Sequence, residues 1–434
     1  MSLPRYESYK DSGVEWLGEV PSHWEFKPLF ALVEELNDSN AGMKEDNLLS
    51  LSYGRIKQKN IDDNDGLLPA SFETYQIIQC GDIVWRLTDL QNDQRSLRTA
   101  IAKERGIITS AYLATRPLNI NPDFLAYLLR AYDVKKVFYS MGGGLRQSMK
   151  FADVKRLPAM VPSASEQRAI VAFLDRETAK IDALIDAQER LITLLNEKRQ
   201  AVISHAVTKG LDPSAPMKDS GVEWLGKVPA HWEVRPARHM LVERDERSLT
   251  GLETLLTVSH LTGVTRRSEK SVNMFEAETT EGYKRCHPGD LVINTLWAWM
   301  GAMGVASEVG IVSPAYHVYV PRPKYAPSYI GALVRIPAFA RETERFSKGV
   351  WSSRLRLYPA ELFQILLPLP PLDEQVAIAK SLERYNVEYD ALTGVAERAI
   401  TLLKERRAAV IAAAVTGKID VRTAVQAASD KELA

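Results

Sequence analysis

Residues 10–25 read KDSGVEWLGEVPSHWE and residues 218–233 read KDSGVEWLGKVPAHWE, one phrase stated twice with two changes. The offset of 208 (218 − 10) returns at Glu166-Gln167 against Glu374-Gln375, at Asp182-Ala183-Leu184 against Asp390-Ala391-Leu392, and at Val207-Thr208 against Val415-Thr416. A repeat on this scale makes the chain an internal pseudo-dimer, presenting two similar surfaces in a fixed relation as a symmetric dimer does. Whatever such a chain grips, it is expected to grip at two places. Its 434 residues suffice for three or four structural units rather than one.

Each copy divides the same way, into a short collar, a compositionally mixed stretch and a long helix. The collars end in a proline turn and an aromatic pair, Pro21 with His23-Trp24 and Pro229 with His231-Trp232. These pairs belong to the duplicated scaffold and are assigned to packing at the helix junction. In the mixed stretches, Asp82-Ile83-Val84-Trp85 and Asp290-Leu291-Val292-Ile293 follow Gly81 and Gly289, as strands leaving a turn often do. A second echo sets residues 106–112 against 310–316 at an offset of 204 (310 − 106), so the first copy carries a net insertion of four residues upstream. Elsewhere the mixed stretches share little. The scaffold is duplicated and the surface is not.

In the first helical stretch, Ile170, Leu174, Ile181, Leu184, Leu191, Leu195 and Val202 fall at steps of three and four or whole turns beyond. The second repeats the pattern with Ile378, Leu382, Tyr385, Tyr389, Leu392, Leu403 and Val410. A 3.5-residue stripe sustained over about five heptads predicts a coiled coil. Ser165 and Asp373 are the expected N-caps, and Pro162 and Leu369-Pro370-Pro371 stop any helix arriving from upstream. About 40 helical residues make a rod of roughly 60 Å. So narrow a stripe needs a partner, and the other copy is expected to supply it, running antiparallel. Ile185, Ile192 and Ile400 lie off this stripe; they either widen the seam or dock another protein.

The repeated phrase WLGEVPSHWE, the segment LPPLDEQVAIAKSL and the helix ends KRQAVISHAVTKG and RRAAVIAAAVTGK together resemble the specificity subunit of Type I restriction–modification systems, over nearly the whole chain. The resemblance implies an α+β fold, with two pseudo-symmetric α/β target recognition domains separated by two long antiparallel helices forming a coiled coil. On this chain it implies a collar and first recognition domain over 1–162, a first spacer helix over 163–212, a second collar and recognition domain over 213–370, a second spacer helix over 371–420, and a flexible tail over 421–434. Each recognition domain would read one half of a bipartite asymmetric sequence in double-stranded DNA. The implied partners are two methyltransferase subunits and two motor–nuclease subunits. S-adenosylmethionine, ATP and Mg²⁺ would be used there, with no cofactor, metal or catalytic centre in this chain. The alternative of another class is a non-catalytic assembly scaffold that bridges partners with weak DNA selectivity.

Charge is an objection to DNA binding, because Lys+Arg and Asp+Glu both number 55 and a basic excess is the usual footprint. The objection weakens if phosphate contacts are local or shared with partners. Local candidates in the first stretch are Arg55, Lys57, Lys59, Arg86, Arg95 and Arg98, then Arg146 and Gln147 beside three glycines, Gly142-Gly143-Gly144. The second stretch offers Arg266, Arg267 and Lys270, then Arg354 and Arg356 after Gly349-Val350-Trp351. Arginine forks onto guanine O6 and N7, and glycine lets backbone approach a phosphate. Trp297 and Trp299, beside Leu291-Val292-Ile293, are read as core.

Intrinsic catalysis finds little support. Asn121-Pro122-Asp123-Phe124 departs from the amino-methyltransferase signature at Asp123. Pro122-Asp123 with Asp133-Val134-Lys135 meets a loose nuclease pattern, but Phe124, Leu125, Leu128 and Leu129 are spaced as on a helix, the wrong geometry for a Mg²⁺ site. There is no P-loop, and the histidines lack metal-ligand spacing. Cys80 and Cys286 are too few for a disulfide framework and suit a reducing compartment. The start MSLPRYESYK has no apolar core, and no apolar run approaches the roughly 20 residues of a membrane span. A cytoplasmic protein is expected.

Overall fold

The strands Ile83–Trp85 and Leu291–Asn294 are interior strands of the two sheets, and each follows a turn through a positive-φ glycine, Gly81 at 94° and Gly289 at 92°. The computed structural model describes residues 4–59, 71–90, 93, 97–141, 148–270, 279–351 and 354–422. Of the expected tail, residues 423–434 lie outside these. Residues 1–188 with 398–434 form one compact unit and residues 189–397 another, so each long helix contributes to both.

In the first unit an antiparallel sheet runs in the order Val33–Leu36, Leu113–Pro117, Ile83–Trp85, Thr99–Ile101. In the second the order is Leu241–Arg244, Tyr316–Pro321, Leu291–Asn294, Met303–Val305. The registers match, with Ala114 opposite Val84 and Val318 opposite Val292. Alternation along each central strand feeds two cores. In the first unit Ile83 and Trp85 pack toward the helix Pro122–Val134, which buries Phe124, Leu125, Leu128 and Leu129, while Val84 packs with Leu49, Ile78 and Ile108. Asn121 caps that helix, accepting from the Phe124 N–H at 2.9 Å.

The collars close onto the long helices, Ala164–Lys209 and Leu372–Val415, through one repeated joint. Trp24 and Trp232 are fully buried. In the first unit Glu166 accepts from Trp24 Nε1 at 3.4 Å and lies 2.8 Å from His23 Nε2. In the second, Glu374 accepts from Trp232 Nε1 at 3.0 Å and lies 2.8 Å from His231 Nε2. The adjacent glutamines tie the helix start to the domain: Gln167 accepts from Asn121 N and donates to Pro162 O, and Gln375 accepts from Ala326 N and donates to Pro370 O, each bond at 2.8 or 2.9 Å. The repeated Glu-Gln is thus a clasp, each residue serving a different neighbour.

The opposite helix end completes each joint. After the first long helix, Gly210 sits against Glu374, Trp232 and Pro229. After the second, Gly417 sits against Pro21 and Trp24, and its carbonyl accepts from Tyr9 Oη at 3.0 Å. Lys209 donates to the Leu225 and Lys227 carbonyls in one collar, and Lys418 to the Glu19 carbonyl in the other. The first unit is sealed further by Asp420 N donating to Pro4 O at 2.8 Å.

Two expectations about the helices need correction. The first helix is capped by Ser163, two residues earlier than expected: Ser163 Oγ accepts from Glu166 N at 3.3 Å and Glu166 Oε2 accepts from Ser163 N at 3.3 Å, a capping box. The second helix starts at Leu372, so Asp373 lies within its first turn rather than before it. The seam phase also differs. Ile170, Leu174, Ile181, Ile378, Leu382 and Tyr389 are buried, and Leu195, Val202, Tyr385, Leu403 and Val410 are half-buried. Leu184, Leu191 and Leu392 instead stand 52%, 43% and 56% exposed. Ile185 is buried, and the inward run continues through Gln188, Ile192, Leu195 and Arg199. Polar residues that hold inward positions and pair across the helices obscure the phase. Arg407 pairs with Asp182 at 2.9 Å in the first unit. In the second, Arg199 donates to Asn386 at 2.9 Å and Tyr389 to Asn196 at 2.6 Å, an antiparallel pairing that polar groups lock in register.

Burial pushes the Glu166 carboxyl up, but the hydrogen bonds from His23, Ser163 and Trp24 outweigh it and leave it below the usual glutamate value. Its stabilising contribution is therefore complete above that value and lost as pH falls through the lowered folded one. Glu166→Gln is expected to cost the first unit about 1–3 kcal/mol near neutrality, the worth of charge-assisted hydrogen bonds. The gap to the parent should close in acid. Thermal melts of both chains across pH check this; a gap that stays constant into the acid range contradicts it.

Candidate nucleic-acid interface

In the first unit the basic candidates scatter. Arg55, Lys57 and Lys59 are exposed on and just after the strand Arg55–Gln58, with Arg55 at 3.9 Å from Asp182. Arg86 is half-buried, 4.0 Å from Asp93. Arg98 is a correction: its side chain is fully buried, donating to Thr88 O at 3.0 Å and to Tyr139 Oη at 3.1 Å. A guanidinium spent on closing a loop has no donors for DNA. Arg95, Arg146 and Gln147 lie outside the described residues.

In the second unit Arg266 is exposed but forked onto Glu308, with both bonds at 2.7 Å. Lys270 donates to Thr262 at 2.8 Å, and Arg267 is half-buried beside it. Such pairs explain how a chain with balanced charge hides many of its cations. Arg354 and Arg356 are different. Both are exposed, on a hairpin that also carries Lys348, and with Trp351 and Tyr358 they line a cleft of about 720 Å³.

The hairpin is built tightly. Lys348 and Arg356 exchange both backbone hydrogen bonds at 2.9 Å, and Arg354 N donates to Trp351 O at 2.8 Å. A Cβ on Gly349 would come within 2.6 Å of the Arg354 carbonyl oxygen, so only glycine permits this turn. Val350 and Trp351 stand 92% and 70% exposed. The base is pinned by Leu357 N to Thr295 O at 3.2 Å, and Lys348 is paired with Glu361. That anchor places it next to the loop bearing Trp297. Contrary to the core assignment, Trp297 is half exposed and stacked on Trp299 at 6.4 Å and 16°. Trp299 is half-buried, its Nε1 donating to Leu296 O at 3.1 Å. The signal for this site was a glycine, two bulky apolar residues and two arginines within eight positions, without the period of a helix or strand.

The nuclease-like acids do not meet. Asp123 and Asp133 lie at opposite ends of the helix Pro122–Val134, about 15 Å apart along its axis. Asp123 is paired with Lys103 at 2.7 Å, while burial pushes Asp133 up to about 6. Among the described residues, no group of three or more His, Cys, Asp or Glu is placed to hold a metal ion, and no helix is long and apolar enough to cross a membrane.

Each of the two units is a sheet domain clasped to a collar and to the paired ends of long helices, and proteins similar to this chain are known. The curated homologues of this chain are specificity subunits of type I restriction enzymes. It is 23% identical over 442 residues to the putative type I restriction enzyme MjaX specificity subunit of Methanocaldococcus jannaschii, covering 94% of this chain and 96% of that protein. It is 21% identical over 400 residues to the type I restriction enzyme EcoDI specificity subunit of Escherichia coli, covering 86% and 87%. Among solved structures, a chain from work on complex assembly and conformational transition of the type I R-M system superposes with a TM-score of 0.65. That match is 16% identical and covers 91% of this chain and 98% of the other. The HsdS subunit from Thermoanaerobacter tengcongensis superposes at 0.48, 16% identical, over 92% and 98%. The mixed fold with its two long helices is that of the first of these chains. No protein-family model matches the chain.

Proposed function

We propose that this chain is the sequence-reading subunit of a type I restriction–modification complex. Each unit's sheet domain reads one half of a bipartite, asymmetric DNA target, and the paired helices set the length of the unread spacer. Catalysis resides in methyltransferase and motor–nuclease subunits, which bring the S-adenosylmethionine, ATP and Mg²⁺ chemistry. The observation that carries this reading is the pairing of a twice-built joint with unlike domain surfaces. A bridge needs only the joints; two different readers explain why the exposed residues diverge while sheet registers and clasps match.

Docking of methyltransferase subunits is supported by the outer face of the helices. In the second unit Leu191, Leu194, Leu392 and Val395 are all exposed at equivalent heptad positions. In an antiparallel pair those positions fall on one side. An aliphatic face of this kind on a water-facing coil marks a protein contact.

Gel-shift with random duplexes, with and without the matching methyltransferase subunit, separates reader from scaffold. The expected result is retention of one selected sequence in two blocks around an undefined spacer. Binding that follows only duplex length and salt would establish the scaffold instead. Adenine methylation profiling of cells carrying the whole system then gives both blocks and the spacer.

A further inference from the structure

We propose that the cleft between the helix Pro327–Leu333 and the long helices of the second unit is a socket for an aromatic, hydroxyl-bearing side chain of the methyltransferase subunit docked there. The proposal rests on the docking reading above and adds where one of the two subunits is anchored. It comes from comparing the copies. The helices Pro122–Val134 and Pro327–Leu333 start at equivalent prolines, each against a turn glycine, Gly81 or Gly289, at an offset of 205 (327 − 122). Arg130 and Arg335 keep that offset, and each donates to the carbonyl of a hairpin turn, at Gly54 or Leu261. Tyr127 therefore corresponds to Ala332 (332 − 127). In the first unit Tyr127 reaches the long helix, donating to Asp175 at 2.7 Å with Thr178 Oγ1 3.4 Å away. Glu383 and Asn386 stand at those two places in the second long helix, at the offset of 208 (383 − 175), but Ala332 has no side chain to reach them. What Tyr127 occupies in one copy is open in the other, a cleft of about 1060 Å³ lined by Ala332, Glu383 and Asn386.

The cleft keeps the chemistry that Tyr127 meets in the first unit. Ile203 and Leu382 give it an apolar wall, and Glu383 presents an exposed carboxylate. A phenol satisfies both, its ring covering the wall while its O–H donates to the carboxylate. The same carboxylate repels a phosphate, which disfavours DNA as the occupant. Val387, 66% exposed, lines the cleft, and the exposed aliphatic residues of that helix continue to Leu392 and Val395 on the proposed docking face. A methyltransferase subunit on that face lies at the mouth of the cleft. In the first unit Tyr127 takes that place itself, so the two methyltransferase subunits bind unequally.

The test titrates the full chain with its methyltransferase subunit and reads stoichiometry and both affinities by native mass spectrometry. The parent chain should bind two subunits with unequal affinities. Ala332→Tyr fills the cleft from within and should weaken one site at least about 30-fold, the size of a lost interface hot spot, leaving the other unchanged. Its melting temperature should equal or exceed the parent's, because the added hydroxyl finds Glu383 and Asn386 as Tyr127 finds Asp175 and Thr178. Glu383→Ala, at an exposed position, should keep the parent's melting temperature and weaken the same site about 10-fold, the size of a lost hydrogen bond to a charged group. Equal affinities in the parent, or unchanged assembly in both variants, overturn the socket. So does a fall in the melting temperature of Ala332→Tyr, because the cleft then does not match the place of Tyr127. Assembly retained with selective DNA binding lost makes the cleft a nucleic-acid contact and also overturns it. A parent chain that binds no methyltransferase subunit removes the docking reading together with the socket.

Discussion

Four residues inserted after Gln188, together with four after Glu397, are expected to move adenine methylation to a target with the same two blocks and a longer spacer. These points are the boundaries at which each long helix passes from one unit to the other. They also face each other when the antiparallel register of the second unit, set by Asn196 with Tyr389 and Arg199 with Asn386, is carried to the helix residues at its edge. Four residues add about 6 Å of helix, and a DNA base pair rises about 3.4 Å, so the spacer should grow by one or two base pairs. A four-residue insertion exceeds the 3.5-residue repeat by half a residue, which local unwinding of the coil absorbs. Methylation of the parental target should fall to background. Insertion in one helix alone leaves an unpaired turn and should abolish methylation of either target. If the doubly extended chain still modifies the original target, the helices do not measure the spacer.

The second large effect concerns stability and is expected to differ between the glycines that close the ends of the two long helices, one residue apart in the repeat. Gly417 and Gly210 both have left-handed backbone, φ 69° and 81°. An L side chain there costs about 1–2 kcal/mol. At Gly417 a Cβ would also lie 2.3 Å from Pro21 Cδ and 2.4 Å from its Cγ, inside a rigid ring. At Gly210 the nearest atom is the Glu374 Oε1, at 3.1 Å, so a shift of a few tenths of an ångström in a carboxylate oxygen that makes neither clasp bond relieves the contact. Gly417→Ala should therefore cost about 1–3 kcal/mol more, the usual penalty of overpacking. Hydrogen exchange of the collar peptides should show the first collar opening in Gly417→Ala and the second barely changed in Gly210→Ala. Equal effects in both collars would mean that the Pro21 contact does not govern the joint.

Much of the architecture is legible because duplication lets one half of a sequence interpret the other. The echoes at Gly81 and Gly289 locate the central strands, and their shared register follows. The repeated His-Trp and Glu-Gln mark a joint, although letters alone do not say that the glutamate holds the indole while the glutamine holds the domain. Helix phase is obscured for a physical reason. An apolar stripe counts only apolar residues, but Thr178, Gln188 and Arg199 occupy inward positions, and skipping them slides the stripe onto Leu184 and Leu191. Ser163 is hidden as a cap because the capping box is recognised by its closing Glu166, a residue already claimed by the repeat. Base-reading side chains are the least legible. Arg98 and Arg354 look alike as letters, yet one closes a loop and the other stands in solvent, a distinction created by tertiary burial.

Each collar is completed by the head of one long helix and the tail of the other. Glu166 and Gly417 both sit against Trp24 in the first unit, and Glu374 and Gly210 sit against each other in the second. Neither half of the chain therefore carries all the parts of its own socket. Each half's collar is finished by the other half's helix end, Val207-Thr208 with Gly210 in one joint and Val415-Thr416 with Gly417 in the other. On the function proposed above, one half-site could thus be exchanged at a time while the joints stay as they are.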